Sequence, residues 1–201
     1  MLSGKANIGS TFKVVDKEYK YNGDEAIYFT LKEMKRLARR DANSNVVQRI
    51  AKAIKDKCKG KDDLCRANAV YDYIFKNVSY KFDHELVVDY VDAKNPEAVE
   101  FFSAPKYLLS EIFEGDCDDM STALASLYIA LGMPVNFKVI AWKSDSFTHV
   151  YTEVMVKMED GYWWIPSDPV IKQFAFEKAP VKRAYVYRVD NEDNNIYKIV
   201  G

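Results

Sequence analysis

Residues 1–28 show no strong period; from Leu31 to Pro134 the apolar positions recur mostly with a helical period, and beyond Pro134 they alternate every second residue. Thr30-Leu31-Lys32-Glu33 reads as a capping box, and Leu31, Met34, Leu37 and Ala38 share one helical face that ends near Ala42-Asn43. A second helix is predicted from Asn45, with Val47, Ile50, Ala51 and Ile54 in register and Gly60 near its end. A third starts at Asp62 or Asp63, is striped by Leu64, Ala67, Tyr71, Ile74 and Phe75, and runs into an extended Val78-Ser79-Tyr80. Residues 81–102 are polar and irregular and predict a long surface loop with a little helix, a length more often functional than not. Ser103-Ala104-Pro105 opens a short fourth helix that Gly115 terminates. Asp116 can cap the next helix, whose buried face is Met120, Leu124, Leu127, Tyr128 and Leu131; Gly132 followed by Pro134 stops it.

The alternating half predicts strands. Val135, Phe137, Val139 and Ala141 alternate with polar or larger partners. In His149 to Met158, Val150, Val154 and Val156 take one face and His149, Tyr151 and Glu153 the other. Glu159-Asp160-Gly161 signals a hairpin, with Tyr162 to Ile165 returning. Ala184 to Val189 suggests one more strand. Helices first and an antiparallel sheet after them make an α+β chain. Residues 1–28 read as an arm or short strands, 29–172 as one domain, and 173–201 as a C-terminal extension.

Composition narrows the class. Apolar residues are 48% of the 201, enough for a core, and the net charge of −1 shows no nucleic-acid footprint. The longest apolar run, Ala123 to Val135, is broken by Ser126, Gly132 and Pro134 and is too short to span a bilayer. Met1 to Asp16 has no secretory h-region. Three cysteines argue against a disulfide-stapled scaffold. Cys58 and Cys65 could pair across a short loop, but two partly buried thiols is the favoured reading. The expected location is a reducing cytoplasm.

Cys117 lies at a helix start, where a thiol is activated by the macrodipole or by a histidine. Only two histidines exist; His84 reads as a solvated loop residue, which leaves His149 at a strand start. A hairpin at Asp160-Gly161 brings Asp168 to the same end of the sheet, where it could orient the imidazole. Asp116, Asp118 and Asp119 are explained as helix-start residues; their spacing lacks an EF-hand pattern and is too local to enclose a cation. No metal and no cofactor is expected.

Gly115-Asp116-Cys117-Asp118-Asp119, His149-Val150-Tyr151-Thr152-Glu153-Val154 and Trp163-Trp164-Ile165-Pro166-Ser167-Asp168-Pro169 together resemble the transglutaminase-like superfamily over roughly residues 30–172. Val78-Ser79-Tyr80 resembles the extended segment that precedes the cysteine there, and Tyr151 departs from a frequent tryptophan. The resemblance is strongest to the small transglutaminase-like cysteine peptidases of phages and prophages. It implies a papain-like core, a catalytic triad of Cys117, His149 and Asp168, and a peptide or protein substrate. Relatives hydrolyse peptides, transfer acyl groups to amines, or have lost activity. Related folds place a side-chain oxyanion donor upstream of the cysteine; Tyr80 is the candidate, with a packing role equally open, while Gln48 and Gln173 are poorly placed. A competing expectation is a structural or adaptor component of a phage particle, made in the host cytoplasm, incorporated in a virion and contacting other phage structural proteins.

Overall fold

In the computed structural model, which describes residues 23–90, 100–143, 145–177, 181–190 and 196–199, three helices pack around a central fourth. The expected arm or strands at residues 1–22 lie outside the described residues. Helix α1 (Asp24–Asp41) begins upstream of the Thr30 box, which sits inside it. The apolar face continues back through Ile27 and Tyr28, and Asp24 and Glu25 complement the macrodipole at the true start. Helices α2 (Asn45–Lys57) and α3 (Asp63–Asn77) start as expected, capped by Ser44 and Asp62.

Cys58 and Cys65 are joined in a disulfide across the α2–α3 turn, with Cα atoms 5.9 Å apart, in place of the favoured pair of thiols. Such bonds persist in oxidising surroundings. Opening it with the Cys58→Ser, Cys65→Ser pair should cost about 2–3 kcal/mol for so short a loop. Thermal melts with and without reductant measure this, and the double variant should be insensitive to reductant.

The polar stretch after the strand β1 (Ser79–Tyr80) carries the expected short helix, α4 (Asp83–Tyr90), on which Leu86 and Val87 are both buried; residues 91–99 lie outside the described residues. His84 sits on it, stacked on Phe82 with centroids 5.7 Å apart. Helix α5 (Pro105–Tyr107) continues into a π-helical turn, Leu108–Ile112. Left-handed Phe113, φ 55°, ends that turn, and not Gly115. Gly115 instead belongs to β2 (Glu114–Gly115), which pairs parallel with β1. Helix α6 (Cys117–Ala130) follows, buried at every position from Asp118 to Tyr128 and not along one face alone. Gly132, φ 72°, terminates it.

The sheet comprises β3 (Val135–Ala141), β4 (His149–Met158), β5 (Gly161–Asp168), β6 (Gln173–Phe174), β7 (Arg183–Arg188) and β8 (Ile196–Ile199). Its order is β6-β5-β4-β3-β7-β8, with every neighbour antiparallel. The β4–β5 hairpin turns at Glu159-Asp160, so Met158 pairs with Gly161 and Thr152 with Ser167. Val135, Phe137, Val139, Val150, Val154, Val156 and Ile165 join the helices in one core. A second, smaller cluster of Ile140, Tyr151 and Ala184 also takes in Trp142 and Val181, so every β3 position is buried. The architecture is α+β, as the change of period predicted. Among the described residues no helix is long and apolar enough to cross a membrane.

Candidate active site

Asp116 caps α6 by accepting from the Asp118 backbone N–H at 3.0 Å, which places Cys117 in the first turn. The helix is fixed to the sheet at that end. Ser121 Oγ donates to the Cys117 carbonyl at 2.6 Å and reaches the Val150 carbonyl at 3.2 Å, and Thr152 Oγ1 donates to the Ser121 carbonyl at 3.1 Å. The thiol thereby lies against the backbone N–H of Val150, the residue after His149. Cys117 is half-buried and is the one free cysteine of the three. Burial, and then the Asp116 charge, push its thiol up to about 12, while the Val150 N–H pulls the other way. The resting group is therefore a neutral thiol.

His149 and Asp168 are both buried, and Nε2 of the ring lies 2.6 Å from Asp168 Oδ2. The other oxygen, Oδ1, accepts from the backbone N–H groups of Val170 at 3.0 Å and Ile171 at 3.4 Å. With both oxygens engaged, the carboxylate has a single orientation. Sequence reasoning missed Trp142, whose ring stacks on His149 with centroids 5.1 Å apart and planes 19° apart. Its place at the end of β3, next to the loop that leads to His149, was the available signal. Beneath the site, Tyr128 Oη donates to the Ala67 carbonyl at 3.1 Å and accepts from Ser167 Oγ at 2.7 Å, tying α6, α3 and β5 together.

Tyr80 pairs with Gly115, two residues from Cys117. Partial burial, then the neighbouring Cys117, push its phenol up to about 12. Gln48 is remote, bonded to the Ala42 carbonyl, and Gln173 is buried opposite Asp168 on β6. The α6 aspartates depart most from expectation. Asp116 caps, but Asp118 and Asp119 are buried, and Asp83 of α4 joins them in a group whose oxygens lie within 4.8 Å of one another. Burial and the Asp116 charge hold the carboxyls of Asp118 and Asp119 well above the usual range, and the same causes push Asp83 up to about 8.

A family model described as the transglutaminase-like superfamily matches residues 44–169. Among solved structures, a presumed protease from Parabacteroides distasonis superposes with a TM-score of 0.54 at 12% identity, over 89% of this chain and 31% of that one. A presumed cysteine protease from Cytophaga hutchinsonii gives 0.42 at 15%, over 77% and 52%, and a structure described as a TGase gives 0.45 at 16%, over 71% and 35%. The chain thus spans between about a third and a half of these proteins. No curated relative matches the sequence.

Proposed function

Because the chain belongs to the transglutaminase-like superfamily, we propose that it performs thiol-dependent acyl transfer on amide bonds, with Cys117, His149 and Asp168 as the catalytic residues. The observation that carries this reading is the 2.6 Å His149–Asp168 pair beside a thiol held at the Val150 N–H. Asp168 takes the proton side of Nε2, so Nδ1 keeps its lone pair. Nδ1 accepts the thiol proton as Sγ attacks the amide carbonyl, and returns it to the leaving amine. Burial and the Asp116 charge disfavour the thiolate, so His149 assists by taking the proton as attack proceeds. The Cys117 backbone N–H and the Tyr80 hydroxyl stabilise the oxyanion. Water then releases the acyl group; an amine in its place makes the reaction a transamidation.

Cysteine 117 is the one free thiol, so labelling reports on it alone. At neutral pH, iodoacetamide should label wild type faster than His149→Ala by about 10²-fold or more, the range of a lost general base. Equal rates would overturn the proposal. Peptide mixtures incubated with and without a primary amine then separate hydrolysis from transfer by product mass. The phage-particle role rests on sequence resemblance alone.

A further inference from the structure

We infer that Tyr80, Phe82 and His84 form an aromatic ledge beside Cys117 that selects a large apolar side chain, best an aromatic one, on the acyl portion of the substrate. The inference rests on the proposed thiol chemistry and names the peptide class on which that chemistry acts.

The three rings are contiguous. Tyr80 and Phe82 meet edge to face with centroids 5.2 Å apart, and Phe82 stacks on His84 at 5.7 Å with planes 17° apart. The ledge starts at the nucleophile, because Tyr80 pairs with Gly115 and its phenol feels both Cys117 and Asp116. Even so, Tyr80 is 44% and Phe82 54% exposed. A single exposed apolar residue is ordinary, whereas a row of rings leading away from a reactive thiol marks a binding surface.

The backbone under the ledge is fixed. The Lys81 N–H donates to the Gly115 carbonyl at 3.0 Å, and the Phe82 N–H donates to Glu85 Oε2 at 3.1 Å. The Phe82 carbonyl accepts from the N–H of buried Leu86 at 3.1 Å. Lys81 turns its side chain to Asp89 and Glu114, which leaves Tyr80 and Phe82 together on the other side. The Phe82 ring is therefore held out to solvent on an ordered frame, and binding against it costs little further ordering.

Direction and charge define the occupant. The amine leaves toward His149 on the six-stranded sheet, whereas Tyr80 belongs to the separate two-stranded sheet, so the ledge meets the acyl portion. An extended peptide advances about 3.3–3.4 Å per residue. With the reacting carbonyl at Cys117 and Tyr80, the ring-to-ring steps bring the second residue of the acyl portion over Phe82 and His84. Asp116 and Glu85 flank the rings, so an acidic side chain there meets like charge.

The test uses the full chain and acetyl-X-glycine chloromethyl ketones, with X as Phe, Leu, Ala or Glu. Cys117 Sγ displaces chloride from each, and each rate is divided by that of iodoacetamide on the same protein. Phe and Leu should exceed Ala by about tenfold or more, the worth of a filled apolar site, and Glu should be slowest. Phe82→Ala should bring Phe and Ala within about threefold of each other, while the iodoacetamide rate and its dependence on His149 stay unchanged. His84→Ala should lower the Phe-to-Ala ratio by a smaller factor, and it supplies the reading if Phe82→Ala fails to fold. Equal rates for every X, in a protein whose iodoacetamide labelling still needs His149, would overturn the ledge and leave the thiol chemistry standing. So would a preference for Phe that survives in both variants. Labelling that ignores His149 would overturn the thiol chemistry and the ledge with it.

Discussion

Asp168→Asn should slow alkylation and turnover at Cys117 by about 10²–10⁴-fold, as far as removing the base itself, while leaving the fold in place. The reason is the double engagement of this carboxylate. Oδ1 receives two backbone N–H groups and Oδ2 faces His149 Nε2. An asparagine can serve one side only. With its carbonyl toward Val170 and Ile171, its amide points a donor at Nε2 and forces the ring proton onto Nδ1, where the thiol proton must go. With the amide reversed, three donors crowd one another at the turn. Intact-mass kinetics with iodoacetamide measure the loss, and near-ultraviolet circular dichroism checks that Trp142 still packs on the ring. A variant labelled at the wild-type rate would remove Asp168 from the mechanism.

The largest stability effect is expected from Phe137→Ala, at about 3–5 kcal/mol. Phe137 is fully buried at the middle of β3, paired with Thr152 on β4 and Tyr187 on β7, on the face that carries the helices. Its removal leaves a cavity between the central strand and the core that neighbours on both sides cannot fill. Against a total of about 5–15 kcal/mol, such a loss is a large share of the stability. Urea unfolding followed by far-ultraviolet circular dichroism gives the value. Tyr162→Ala, at the exposed start of β5, is the control and should stay within about 0.5 kcal/mol of wild type.

Local chemistry in the sequence located the elements that hold the candidate site. Asp116 as cap, Gly132 as stop and a hairpin within Glu159-Asp160-Gly161 were each readable because each acts on its own few residues, although Gly161 itself already pairs with Met158. The α1 start was misplaced because a capping box is only a box when the chain before it is not helical, and Ile27 and Tyr28 extend the packed face upstream. The convergence of Asp83 on Asp118 and Asp119 was illegible for a different reason. It depends on where α4 docks, and docking is set by Leu86 and Val87 meeting a core the local pattern does not describe. Trp142 was hidden likewise, since stacking on His149 requires both ends of the β3–β4 connection to be in place.

The link from Ala67 through Tyr128 to Ser167 spans three elements far apart in sequence. It closes only when the last of them, β5, has arrived. During synthesis Cys117 leaves the ribosome long before His149 and Asp168, so the nascent chain carries an ordinary, unassisted thiol. Under the proposed mechanism, reactivity at Cys117 reports completion of the sheet: in a refolding experiment, the fast-labelling phase should appear together with hairpin docking and not with helix formation.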